Sequence, residues 1–228
     1  MSSKIAEKGK IQSSLAKKIR LQWEEKGLAK TFIWITGRIL KTIQVTFVNL
    51  KKHYILGKNL SDNFTFIQDK LDTTYKFIEI HDLERFKGIR RPWRRWLKTF
   101  EGRLKRGQTC IACFYKEGVI GYIWISLTPE TDKNVGLTVR PKVNESYGFD
   151  LYVVPEYREF LIGFELISRW LKYSKGLGRT KAIGGVAKYN KPMLLTMKLA
   201  FGFKIMKRLH SLVFFRSRGI IISSKEVA

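Results

Sequence analysis

The stretch from Val153 to Leu166, VVPEYREFLIGFEL, constrains the fold more than any other part of the chain. It reads as the end of a strand, stopped by Pro155, a turn through Arg158 and the start of a helix. Proline has no N–H for a strand ladder, so it marks the strand's end. Beyond it Ile162, Leu166, Ile167 and Trp170 recur on one side of a helix. A turn of this shape offers the unpaired N–H groups and positive dipole end of a helix to an anion such as a pyrophosphate. Such turns are usually rich in glycine, which admits a ligand close to the backbone and tolerates positive φ. Here Gly163 stands alone, and Glu159 and Leu161 occupy the turn.

From about residue 61 the pattern is a mixed succession of strands and helices. Tyr75 to Ile80 reads as a short strand, and 81–89 and 91–107 as two helices. The second helix has Pro92 near its first turn and Gly107 just past its end. Thr109 to Leu127 reads as two strands joined at Glu117-Gly118, and Ser146 to Val154 as a further strand. After the helix that follows, 180–187 is strand-like, 191–202 helical and 203–215 a closing pair of strands. No internal repeat or low-complexity tract interrupts this order.

Charge is the compositional outlier: 44 Lys and Arg against 19 Asp and Glu give a net +25. That points to an anionic partner, whether nucleic acid, an anionic membrane surface or a phosphorylated ligand, and says nothing about fold. Residues 1–60 carry 13 cations against Glu7, Glu24 and Glu25, a net of +10. Phe32, Ile35, Ile39, Ile43, Phe47 and Leu50 recur there at helical steps. The expectation is a basic helical extension whose apolar stripe packs on the main domain. The alternative is a helix lying on an anionic membrane with Phe32 and Trp34 inserted. A second basic segment, 87–106, interleaves Trp93 and Trp96 with nine cations relieved only by Glu101. Its Trp93, Trp96, Leu97, Phe100 and Leu104 form a core stripe, which leaves the arginines for an acidic ligand.

Cys110 and Cys113 are the chain's two cysteines, spaced C-x-x-C. Zinc or redox chemistry would need further ligands nearby, and His53, His81 and His210 are scattered. An offset of three on a strand sends the two thiols to opposite faces, so a reduced structural pair is expected and no metal site. So few cysteines favour a cytosolic setting, with peripheral membrane attachment as the variant. The first 30 residues show no apolar core of a secretory signal, and Lys30, Arg38 and Lys41 interrupt the apolar window from Leu28 to Leu50.

The order of elements resembles the GNAT superfamily of acyl-CoA-dependent N-acyltransferases over roughly Thr74 to Phe215. Its fourth strand runs into a pyrophosphate loop of the form Arg/Gln-x-x-Gly-x-Gly/Ala; Leu151 to Arg158 matches the approach and Ile162-Gly163 the exit. Asn190, a helix and then Gly202-Phe203 match the family's fourth helix, with one residue more than expected between them. The resemblance implies an α+β fold, a mixed, mostly antiparallel sheet flanked by helices, at 61–218, between the extension at 1–60 and a short tail at 219–228. It implies acetyl-CoA as co-substrate, held by Val153, Val154, Arg158, Glu159, Phe160, Leu161, Ile162, Gly163 and Asn190. A splayed gap between the fourth and fifth strands would admit the pantetheine arm, and a backbone N–H near Val153 would polarise the thioester carbonyl. Asp150 and Glu145 are the candidate bases. The family's usual acid is a tyrosine at the position of Met197, so Tyr152 and Tyr189 are the candidate substitutes.

Two functions follow. The first is acetyl transfer from acetyl-CoA to an amine, an amino sugar or another small molecule, by direct attack. A basic acceptor runs against the +25 charge. The alternative is a catalytically degenerate fold that binds nucleic acid or anionic membrane through residues 1–60 and 87–106.

Overall fold

The computed structural model describes residues 48–90, 93–132, 137–214 and 218–227. One sheet organises them. Its eight strands are β1 (Val48–Asn59), β2 (Thr74–Phe77), β3 (Thr109–Tyr115), β4 (Gly118–Ser126), β7 (Glu145–Val153), β8 (Lys181–Ala187), β9 (Lys204–Phe214) and β10 (Arg218–Glu226). They run in the order β10-β9-β1-β8-β7-β4-β3-β2, and β5 (Glu130–Asp132) pairs with β6 (Leu137–Val139) in a separate hairpin. Every neighbouring pair in the large sheet is antiparallel except β7 and β8. The mixed, mostly antiparallel sheet expected from the sequence is therefore present.

Both faces of the central strands are covered, which is why β3 and β4 are buried almost without a break. On one face lie a 3-10 turn at Ile80–Phe86 and α1 (Trp93–Lys105). Phe100 is buried there, with ring centroids 5.2 Å from both Tyr122 and Trp124. Truncating such an aromatic to alanine costs about 3–5 kcal/mol. On the other face α2 (Ile162–Gly176) packs Leu166, Ile167 and Trp170 onto Ile111, Cys113 and Ile123. Trp170 lies so close over Gly148 that a Cβ there would meet its ring at 2.6 Å. Cys110 joins the α1 face and Cys113 the α2 face, as the offset of three requires.

Three expectations are corrected. Val48–Asn59 is not part of a helical extension: β1 sits between β8 and β9 at the interior of the sheet, so Leu50 belongs to a strand. Phe32 through Phe47, the rest of the supposed helical stripe, lie outside the described residues. Most of the expected tail is strand, because β10 pairs with β9 from Arg218 to Glu226. Its partner β9 is a single strand where two were expected.

Candidate functional site

The site begins where the one parallel pairing fails. β7 and β8 are bonded from Glu145 and Lys181 to Gly148 and Gly184, and no further. Beyond that point β7 stays with β4 while β8 stays with β1. The seam between them holds a cavity of about 170 Å³, lined among others by Gly148, Leu151, Trp170, Gly184, Asn190 and Met197.

A bulge shapes the β7 side. Tyr152 pairs with Tyr122 and Phe149 with Trp124, so Asp150 and Leu151 together oppose Ile123. Asp150 has φ 47°, a left-handed conformation that aspartate tolerates better than most residues. Its Oδ1 accepts from Arg90 Nη1 at 2.9 Å and its Oδ2 from Arg103 Nη1 at 2.6 Å. These arginines also lie over aromatic rings, Arg90 over Tyr152 at 4.3 Å and Arg103 over Phe149 at 4.9 Å. Both oxygens of the expected base are thus engaged by guanidinium groups, and the carboxylate works as a strut for the bulge.

Past the bulge, the Val154 N–H donates to the Ile120 carbonyl at 2.9 Å. Successive residues of a strand turn their N–H groups to opposite edges, so the Val153 N–H points into the seam. Val154 itself is spent on β4. Pro155–Phe160 then forms a 3-10 turn, anchored where Lys70 N–H donates to the Phe160 carbonyl at 3.0 Å. Arg158 is exposed and folds back so that Nε donates to the Val153 carbonyl at 3.2 Å; Glu159 is exposed. Leu161 precedes α2 with φ 65° and ψ 11°. The position that would suit glycine is therefore a left-handed one, held here by leucine. Phe164 and Glu165 N–H both donate to the Leu161 carbonyl, and the N–H groups of Ile162 and Gly163 open the helix without a side-chain cap. The Ile162 side chain is fully buried. A Cβ at Gly163 would meet only Val153 Cγ2, at an ordinary 3.6 Å, so neither packing nor φ requires glycine there.

Across the seam, Asn190 Oδ1 accepts from Met193 N–H at 3.3 Å and starts α3 (Lys191–Leu195). The helix continues as a π turn at Thr196–Ala200, in which Phe201 N–H donates to the Thr196 carbonyl five residues back. A π turn absorbs one inserted residue, which accounts for the extra residue between Asn190 and Gly202. Met197 is buried and lines the cavity, so the place of the family's tyrosine is filled by a side chain that cannot give a proton.

The remaining candidates are dispersed. Glu145 sits at the closed end of the seam, 3.9 Å from Lys181 and accepting from the Lys142 N–H. Eight residues of strand, about 26 Å, separate it from Val153. Tyr189 is 76% exposed in the turn before α3. Tyr152 faces α1 and stacks on Tyr122. A further phenol on β7, Tyr147, has its hydroxyl 3.2 Å from where a Cβ on Gly185 would stand. Burial, then the charges of Asp132 and Glu130, push its pKa up and keep it protonated.

The basic segment 87–106 is less available than its composition implied. Besides Glu101 with Lys105, carboxylates distant in sequence pair with Arg90, Arg103 and Arg106, and Glu84 pairs with Lys87. Burial pushes the Cys113 thiol up to about 11 and raises Cys110 as well, which suits inert core thiols. Among the described residues no cluster of His, Cys, Asp or Glu could hold a metal, and no helix is long and apolar enough to cross a membrane.

A mixed sheet with one splayed parallel seam, a bulged strand and an uncapped helix at its end defines an acyltransferase-type α+β fold. The sequence model of the acetyltransferase (GNAT) family matches residues 70–203, and the chain belongs to that family. No curated protein matches the sequence. Among solved structures, a Drosophila protein superimposes with a TM-score of 0.53 at 10% identity, covering 78% of this chain and 57% of its own. This chain thus spans little more than half of that protein's length. A predicted acetyltransferase of Clostridium acetobutylicum, solved with acetyl-CoA, is similar at a TM-score of 0.41 and 14% identity, covering 58% of this chain and 90% of its own.

Proposed function

We propose that the chain transfers an acyl group, acetyl in the simplest case, from its CoA thioester to an amine by direct attack. The observation that carries this reading is the parting of β7 and β8 after Gly148 and Gly184, with the Val153 N–H aimed into the opening. In this reading the Val153 N–H polarises the thioester carbonyl, a donor placed where negative charge develops. The N–H groups of Ile162 and Gly163, with Arg158, hold the pyrophosphate, and Asn190 borders the pantetheine arm. The cavity of about 170 Å³ suits the thioester end of the ligand. The amine nitrogen forms the new C–N bond, the C–S bond breaks, and the amine's proton ends on the departing sulfur. Tyr147 stands six residues of strand, about 20 Å, from Val153, with its hydroxyl on the groove side of Gly185, and takes no part in that transfer in this reading. Isothermal titration of the full chain with acetyl-CoA tests the reading: saturable binding is expected, and a flat titration overturns it.

Met197 favours a second reading, a GNAT fold that has lost turnover and serves as a binding protein. It would be favoured by saturable acetyl-CoA binding without release of CoA across a panel of amines.

A further inference from the structure

On the sheet face that carries α1, a groove of about 870 Å³ runs over β1, β8, β9 and β10 beneath the β5–β6 hairpin. That is the size of a small-molecule site. Its floor is apolar, with Ile55, Ile183, Leu209 and Ile221. Its rim is cationic. Lys181 is offset by Glu145 and Lys207 by Glu226, but among the described residues no ion pair engages Arg140, Lys142 or Lys204. An apolar bed with three surplus cations on its edge selects an amphipathic anion.

Gly185 joins this groove to the seam. Its backbone lines the seam cavity. A Cβ on it would point the other way, 3.2 Å from the Tyr147 hydroxyl, 3.9 Å from Ile55 Cδ1 and 4.0 Å from Leu137 Cδ2. Ile55 and Leu137 belong to the groove. Glycine therefore leaves a window at the place where β7 and β8 part.

We propose that the groove binds the acyl acceptor, and that the acceptor is a small amine with an apolar body and an anionic group. The acceptor role rests on the acyltransferase reading above. The anion lies at the rim near Arg140 and Lys204, the apolar body lies on Ile55 and Ile183, and the amine reaches the seam past Gly185.

Three probes of equal chain length separate the parts: octanoate, octylamine and 8-aminooctanoate, each with the full chain. Octanoate should bind saturably in the absence of acetyl-CoA and octylamine should bind far more weakly. Replacing Arg140→Gln together with Lys204→Gln should weaken octanoate about tenfold, the scale of two partly exposed ion pairs. The same pair of changes should leave acetyl-CoA binding intact. A control with the same loss of charge elsewhere, Lys98→Gln with Lys175→Gln, should leave octanoate unaffected. With acetyl-CoA present, 8-aminooctanoate should release CoA faster than octylamine. Equal binding of octanoate and octylamine, or equal weakening of octanoate by both double variants, overturns the groove as an anion site. Octanoate binding with preference for octylamine in CoA release overturns its role as the acceptor site. A flat acetyl-CoA titration beside saturable octanoate binding refutes the acyltransferase reading, and with it the acceptor role, while the anion site stands.

Discussion

Leu161 offers the sharpest test of the loop. A left-handed conformation costs a non-glycine L-residue about 1–2 kcal/mol, and Leu161 holds φ 65°, ψ 11°. Comparing Leu161→Gly with Leu161→Ala isolates this term, because both variants lose the half-buried isopropyl end of the side chain and differ only in the Cβ. Alanine keeps the Cβ and the strain. Glycine removes the strain but adds about 0.4–1 kcal/mol of freedom to the unfolded chain. The balance leaves the glycine variant more stable than the alanine variant by about 0.5–1 kcal/mol, whereas at an ordinary helical position alanine wins by a similar amount. The sign of the difference thus reports the backbone. Urea denaturation at constant m reads it from the two midpoints. In the same preparations acetyl-CoA should bind more tightly to the glycine variant than to the alanine variant, since the open backbone lets phosphate approach the N–H groups. An alanine variant as stable as the glycine variant would refute the left-handed assignment. Unchanged acetyl-CoA affinity would remove the loop from the ligand's path.

Other expectations follow from the same geometry. Gly163→Ala should raise stability by about 0.5–1 kcal/mol, as alanine does within helices, yet weaken acetyl-CoA in titration; equal affinity would mean that no ligand approaches there. Asp150→Asn leaves two partly buried arginines short of a carboxylate and should destabilise by about 3 kcal/mol in denaturation; full stability with lost turnover would instead mark Asp150 as a base. Tyr147→Phe keeps the stacking on Phe149 and should leave both acetyl-CoA binding and the rate of CoA release unchanged; a slower release with a changed pH profile would put the phenol in the proton's path. Burial lowers the His53 pKa; Asp132 opposes it, and Lys51 adds a smaller push downward. The neutral ring is favoured in the fold, so stability fully present above pH 6.5 is lost as the pH falls from that value through the lower folded one; a His53→Gln variant should show a flatter urea midpoint between pH 7.5 and 5.5.

What could be read from the sequence was local. The proline stop, the helix stripe of α2 and the two-faced cysteine pair each follow from a period or a missing N–H, and all three hold. β1 escaped because its consecutive Lys51, Lys52 and His53 break strand alternation, while Leu50 continued a helical spacing. The interior place of the strand buries Ile55 and Leu56 on successive positions, a pattern shared by strands covered on both faces and by buried helices. β5 and β6, at three residues each, carry too few positions to show any period. The Asp150 clamp was illegible for a different reason. Its arginines lie 60 and 47 residues away, and only the placing of α1 and of the segment just before it beside β7 brings them to one carboxylate.

The site's unusual residues share one property. Among the described residues three non-glycines have positive φ, and two of them, Asp150 and Leu161, flank the end of β7 from which Val153 faces the seam. Strain of this kind persists only where the surroundings over-determine the backbone. Asp150 is held by two arginines, and Leu161 is held between the Phe160 carbonyl bonded to Lys70 and the fully buried Ile162. The bulge, the seam and the helix start are thus imposed by tertiary contacts, which lets ordinary side chains stand where glycine would be the easy choice. A motif made of side chains registers those positions as departures. The backbone N–H groups that would meet a thioester and a pyrophosphate keep their arrangement regardless, and for that reason the loop is better judged by its dihedral angles than by its letters.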